Sequence, residues 1–379
     1  MHTVPSALLI AAPLPFVPAC SAPHKPQRKR AVQWVAQALL RTVFLCAVSA
    51  AACATSAPAA RVAALTPQET MDALARAHQA VVGVQVIAAE GARSAQTLGM
   101  RRSGSGVVIG PDGLVLTIGY LVLEADTVQI TMQDKKTVPS RVVAYDQATG
   151  FGLLQPLVPL RGITPVVLGS IAGNTAGDAL MSSTGAQPAE DADVRMTQLV
   201  GQRAFSGYWE YHIENAIFTS PPIENHSGAP LFNQQGELLG IGSLFVMDSA
   251  GNNTRRPGNM FVPVDLLKPI LSELMQTGSS KQSHRPWLGI TSSEQGGKVQ
   301  VVRVNDESPA QTAGLQIGDV VLEVDGTQVN SLEAFYKKLW DRASPDAEVK
   351  LTVQQGSVLK TIVLKTMDRM RLFRKPAGI

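Results

Sequence analysis

Between residues 81 and 262 the apolar positions come in short runs, each broken by glycine, proline or a polar turn. A first series covers 81–87, 105–109, 114–117, 128–132 and 141–145. A second covers 166–168, 179–181, 195–200, 217–219, 229–232, 238–246 and 259–262. Runs of this length and spacing predict many short strands folded as β-barrels or a sandwich. Ahead of them, residues 66–80 predict a short helix, with Thr66 as N-cap, Pro67 at the first position and Glu69 three residues after the cap. A helix over 264–275 is expected to close the region. Residues 277–286 (TGSSKQSHRP) are polar and read as a flexible linker. Beyond it lie strand runs at 287–290, 299–304, 320–324, 349–354 and 359–364. They are interleaved with a one- to two-turn helix over 308–313 and a helix over 331–340. The second helix carries the stripe Leu332, Phe335, Tyr336 and Leu339. About 80 residues of this pattern make one compact module. Arg369, Arg371, Arg374 and Lys375 after it read as a solvated basic tail.

Length changes the picture only by allowing two or three such domains in 379 residues. Charge changes it more. The chain has 33 Lys and Arg against 30 Asp and Glu, yet five of the basic residues (Lys25, Arg28, Lys29, Arg30, Arg41) precede residue 58. Without residues 1–57 the balance is 28 against 30, net −2, so the basic character belongs to the start of the chain and no nucleic-acid footprint is expected. That start has the order of a secretory signal: a basic cluster at 25–30, an apolar run at 43–52, then small residues offering cuts after Ala54 and Ala57. The alternative is an uncleaved anchor, because 31–54 carries Arg41 as its single charge. All three cysteines, Cys20, Cys46 and Cys53, fall in this leader, and no Cys/His pair has zinc-site spacing. Neither a metal nor a cofactor is expected.

Four motifs, in order, resemble the HtrA/Deg family of trypsin-like serine proteases. They are Ser103-Gly104-Ser105-Gly106 with Asp112-Gly113 and Leu116-Thr117; Ser227-Gly228-Ala229-Pro230-Leu231 with the block from Gly236 to Ile241; Val262-Pro263-Val264-Asp265; and Ser308-Pro309-Ala310 with Ala313-Gly314-Leu315, Gly318-Asp319 and Asp325-Gly326. The last is similar to the PDZ domain that such proteases carry. The resemblance implies a mainly β chain, a chymotrypsin-like double β-barrel followed by a PDZ-like α+β module. The expected organisation is a leader (1–57), an N-terminal helical segment (58–80), the double barrel (81–275), a linker (276–286), the PDZ domain (287–366) and the tail (367–379). It also implies a periplasmic location.

Acyl transfer of this type needs a hydroxyl nucleophile, an imidazole base and a carboxylate to orient it. The resemblance places the nucleophile at Ser227, but puts Tyr120 at the base position and Gly150 at the carboxylate position. Tyr, with an ordinary pKa near 10, is a poor base at neutral pH, and glycine orients nothing. The oxyanion-hole glycine of the family is Asn225 here, beside Glu224, with Pro221-Pro222 just upstream. Asn tolerates some positive-φ geometries, which would let the hole form. His226 adjoins Ser227, but neighbours on a tight turn point apart, so it reads as a loop histidine.

The expected function is therefore binding without ordinary proteolysis: capture of polypeptide C-termini or unfolded proteins in envelope quality control or scaffolding. The loop Trp287-Leu288-Gly289-Ile290 would hold the peptide carboxylate through its amides. Leu332 and Phe335 would line the groove opposite, unless they fill the module's core. Two alternatives stand beside this reading. One is an active endopeptidase using Ser227 with an unconventional base; the other is a subunit that co-assembles with a catalytically complete homologue. Residues 58–98 hold no Phe, Tyr or Trp, so a weak trimer or a monomer is expected.

Overall fold

The computed structural model describes residues 65–251 and 254–374. The expected leader lies outside the described residues. The first element is the helix Pro67–Gln79, and it starts as its sequence requires: Thr66 accepts from the Glu69 amide while the Glu69 carboxylate accepts from the Thr66 amide, a reciprocal capping box.

Twelve strands follow in two closed six-stranded barrels. The first holds β1 (Val81–Ala88), β2 (Arg101–Val108), β3 (Val115–Ile118), β4 (Ala125–Thr131), β5 (Thr137–Tyr145) and β6 (Phe151–Pro156), in the order β1-β2-β3-β6-β5-β4. The second holds β7 (Ala179–Ser183), β8 (Val194–Gly207), β9 (Tyr211–Ser220), β10 (Pro230–Phe232), β11 (Leu238–Val246) and β12 (Gly258–Pro263), in the order β10-β11-β12-β9-β8-β7. Closure explains the runs. β3 is buried at all four positions, whereas β5 alternates at its exposed start before turning wholly inward. One apolar cluster, including Leu116, Phe151, Phe218 and Ile241, runs through both barrels.

The module is a sheet of β14 (Ile290–Gln295), β15 (Lys298–Val304), β16 (Val320–Val324), β18 (Glu348–Gln355) and β19 (Val358–Lys365), in the order β14-β15-β16-β18-β19. The short β17 (Thr327–Gln328) pairs with β16, and the helix Leu332–Trp340 packs on the sheet. β14 lies at the sheet's edge.

Three expectations change. The helix over 264–275 is split into a 3-10 turn at Val264–Leu266 and a helix at Leu271–Thr277. The linker is pinned, not flexible. Ser280 donates to the buried Asp146 carboxylate from its amide (3.1 Å) and its hydroxyl, and Ser283 donates its hydroxyl to the same oxygen. Ser283 Oγ in turn accepts from the Gln147 amide at 2.8 Å. The polar composition that suggested mobility supplies the donors this carboxylate needs. The tail is likewise docked through residue 374. A strand β20 (Met367–Asp368) pairs with β13 (Pro286–Trp287), Phe373 meets Tyr145 edge-on at 6.2 Å, and the Arg374 amide donates to Glu124 at 3.1 Å.

Candidate functional site

Ser227 lies in the loop before β10, and a three-part clasp sets its position. The Ser105 amide donates to the Ser227 carbonyl at 2.8 Å, Ser105 Oγ accepts from the Gly185 amide at 3.0 Å, and Thr117 Oγ1 donates to the Ser105 carbonyl at 2.7 Å. The glycine- and serine-rich start of the domain is thus the floor of the Ser227 loop. Tyr120 follows β3 in the short helix Gly119–Val122. Its hydroxyl lies 2.7 Å from Ser227 Oγ, to which it donates, and 3.1 Å from the Ser243 carbonyl. Burial pushes the Tyr120 phenol up to about 12, against the opposing pull of the Ser227 hydrogen bond. A phenol in that state keeps its proton at neutral pH and cannot take the one on Ser227.

Gly150 is close by, its carbonyl accepting from the Gly119 amide at 2.6 Å. It has φ +82°, and a Cβ there would stand 3.0 Å from the Tyr211 hydroxyl. That hydroxyl donates to the Thr149 carbonyl at 2.6 Å, so the Tyr211 phenol fills the space a carboxylate at 150 would need. Asp146, the carboxylate of this loop, is committed elsewhere: besides the two linker serines it accepts from the amide and hydroxyl of Thr149 at 3.0 and 2.6 Å.

Asn225 is exposed and is not among the described non-glycine residues with positive φ, so the left-handed geometry open to asparagine is not used. His226 Nδ1 sits 2.9 Å from the Glu224 carbonyl. Burial holds its pKa below the usual histidine value. His212 is on β9 beside the module, its Nδ1 2.9 Å from Ser206 Oγ.

The second candidate centre is the loop joining β13 to β14. The amides of Leu288, Gly289 and Ile290 all donate to one carboxylate, that of Glu210, at 3.0, 2.8 and 3.0 Å. Glu210 belongs to the tip of the β8–β9 hairpin, is 2% exposed and holds φ +59°. Burial pushes its carboxyl above the usual range while the three amides pull the other way. The Ser292 amide of β14 donates to the Tyr208 carbonyl at 2.9 Å. From the helix, Tyr336 Oη donates to the Gly207 carbonyl at 2.8 Å and accepts from the Glu210 amide at 3.3 Å. Arg285 donates to the Glu210 carbonyl at 3.2 Å and stacks 3.5 Å over the Trp340 ring. Leu332 and Phe335, expected on the groove wall, are buried in the module's core, and Tyr336 of the same stripe is the residue that meets the hairpin. Gly289 has φ +84°, and a Cβ there would run into Ser308. Any larger residue would therefore distort the loop rather than merely crowd its ligand.

Between β9 and the helix lies a cleft of about 670 Å³, lined by His212, Glu214, Arg285, Lys337 and Trp340 among others. His212, Glu214 and Glu333 bring possible metal-ligand atoms within 4.8 Å of one another. The Lys337 ammonium sits on both carboxylates, at 2.8 and 2.7 Å, and takes the place a cation would occupy. Sequence reasoning missed Glu210. The signal available was a tip with three aromatic residues and one acid in four positions, Tyr208 to Tyr211, in a chain that is 5% aromatic.

The comparisons with known proteins agree with this fold. A family described as a trypsin-like peptidase domain matches residues 104–241, and one described as a PDZ domain matches 286–366. A probable periplasmic DegP-like serine endoprotease of Halomonas elongata is 26% identical over 284 residues, 71% of this chain and 57% of its own length. The serine endoprotease DegS of Haemophilus influenzae is 25% identical over 274 residues, 69% of this chain and 76% of its own. The chain thus spans little more than half of the first relative. Among solved structures, the HtrA-type protease AlgW with decapeptide superposes with a TM-score of 0.51 at 19% identity, over 81% of this chain and 99% of its own. A serine endoprotease from Yersinia pestis does so with 0.50 at 21%, over 80% and 99%. At those identities the likeness is one of fold.

Proposed function

We propose that the chain, with its matches to a trypsin-like peptidase domain and a PDZ domain, is an exported, proteolytically silent relative of the HtrA-type proteases whose fold it shares. Its work is to bind polypeptide C-termini or unfolded chains through the PDZ domain, in the periplasm, where its DegP-like relatives are named. The observation that carries the reading is the Tyr120 hydroxyl 2.7 Å from Ser227 Oγ, where a base would have to be. Gly150, at positive φ and backed by Tyr211, supports it. With two triad members replaced, any remaining rate comes from binding and the oxyanion hole, roughly 10³–10⁴-fold over water in related enzymes, too slow to see in a casein assay. Among the described residues no helix is long and apolar enough to cross a membrane.

The test is active-site labelling with a fluorophosphonate probe beside a casein assay. The expected result is background labelling of Ser227 and no casein cleavage. Strong labelling with cleavage abolished by Ser227→Ala would restore the endopeptidase alternative.

A further inference from the structure

The loop that should receive an outside carboxylate already holds one from this chain. We propose that the β8–β9 tip, residues 207–211, is an internal ligand of the PDZ domain, and that a polypeptide C-terminus binds by displacing it. The inference rests on the reading above that the domain captures C-termini.

The tip occupies the three kinds of contact that an added peptide would use: loop amides, sheet edge and helix. Its carboxylate, on Glu210, takes the amides of Leu288, Gly289 and Ile290. Consecutive backbone donors of this kind capture terminal carboxylates in recognition by strand addition. Its main chain meets the free edge of the sheet, where β14 pairs with β15 on one side and offers the Ser292 amide to the Tyr208 carbonyl on the other. The helix opposite closes on it through Tyr336, whose hydroxyl binds main-chain atoms of both Gly207 and Glu210. The tip is a turn, not a strand, but it lies between an edge strand and a helix with its side-chain carboxylate on the loop amides, the place and the donors a captured C-terminus would need.

The tip is also built to be held rather than to sit there unaided. Glu210 keeps a positive φ, which a non-glycine residue maintains only when its surroundings over-determine it. Its side chain is buried, and away from those three amides an ionised carboxylate there would be strongly disfavoured. Tyr211, the next residue, points to the Thr149 carbonyl beside Gly150, so displacement of the tip would disturb the cleft as well as the groove.

A tethered ligand lowers the affinity for an external one in proportion to how little of the protein is open. The experiment uses the purified protein, a decapeptide pool randomised at its last three positions, and the same pool as C-terminal amides. Affinity is read by fluorescence anisotropy for wild type, Glu210→Ala and Tyr336→Phe. Glu210→Ala is expected to tighten free-acid binding by about tenfold or more. Tyr336→Phe should do so by less, and the amides should gain nothing. In wild type, saturating free-acid peptide should raise hydrogen exchange at residues 207–211. Equal free-acid affinity in all three proteins, with the tip still protected when peptide is bound, overturns the internal-ligand proposal and leaves peptide capture standing. Absence of free-acid binding in all three defeats capture itself. Should Glu210→Ala not fold, Tyr336→Phe and the wild-type exchange measurement decide.

Discussion

Beside Ser227 stand a phenol and a glycine where, on the function proposed above, a base and its orienting carboxylate would be; at Leu288–Ile290 all three amide donors are in place and a carboxylate of the same chain lies on them. The difference follows from what each site is made of. A triad is built of side chains, so two substitutions remove the base and its orienter at once. A carboxylate loop is built of backbone, and any sequence that keeps the turn keeps the donors. Chemistry made of side chains is lost one residue at a time, whereas chemistry made of amides is more readily covered than lost.

The two regions meet at Asp146, and removing it should give the largest effect. Its carboxylate holds Thr149, next to Gly150, and the two serines of the segment leading to the PDZ loop. Asp146→Ala leaves several buried donors without acceptors, each costing about 1–3 kcal/mol. A loss of about 3 kcal/mol or more in a urea titration is expected. A loss below about 1 kcal/mol would mean that the joint is not what couples cleft to module.

Putting the missing side chains back is a sharper test. Tyr120→His with Gly150→Asp restores the residue types, but residue 150 holds φ +82° and its Cβ would press on the Tyr211 hydroxyl. The double variant should lose about 1–3 kcal/mol through the strained position alone, and casein should stay uncleaved. Robust cleavage would show that the cleft lacks only side chains, and the contrast with the PDZ loop would fail.

How much of this was legible depended on how far each contact reaches along the chain. Thr66 and Glu69 are three residues apart, and their capping box was readable outright. The Ser103–Gly106 and Ser227–Leu231 motifs singled out two segments that the structure joins through Ser105 and Ser227. The same resemblance singled out Tyr120 and Gly150 as the base and carboxylate positions; the structure sets Tyr120 beside Ser227 and Gly150 against Tyr211, a contact the sequence did not suggest. The grip of Glu210 on residues 288–290 spans about 80 residues and joins two folding domains, with no spacing pattern to betray it. The linker and tail were misread for a related reason. Serines and arginines look solvated until a buried carboxylate or an aromatic ring elsewhere in the chain claims them, as Asp146 claims Ser280 and Ser283 and as Trp287 lies 5.7 Å below the Arg369 guanidinium.

The smallest effect expected is also the most specific to the cleft. Tyr120→Phe removes one hydroxyl and its hydrogen bonding to Ser227 and Ser243, so below pH 10 it should cost about 1 kcal/mol. The sign of its pH dependence follows from the phenol's shift. Burial raises the folded-state value to about 12 against an ordinary 10. The neutral phenol therefore stabilises the fold fully below pH 10, and that contribution fades between pH 10 and 12 as the unfolded chain gives up its proton first. Tyr145, Tyr211 and Tyr336 are pushed up by burial as well, so both proteins should lose thermal stability in this window. Only wild type has Tyr120 to lose, and a rise from 10 to about 12 is worth about 2–3 kcal/mol. Between the two melting curves, the wild-type advantage of about 1 kcal/mol should therefore fall as pH rises from 10 and reverse sign before pH 12. A wild-type advantage that grows with pH would mean that the Tyr120 phenolate is favoured in the folded protein. It would then be a competent base within reach of Ser227, and a fluorophosphonate labelling rate that climbs with pH in wild type but not in the Phe variant would be the matching kinetic sign.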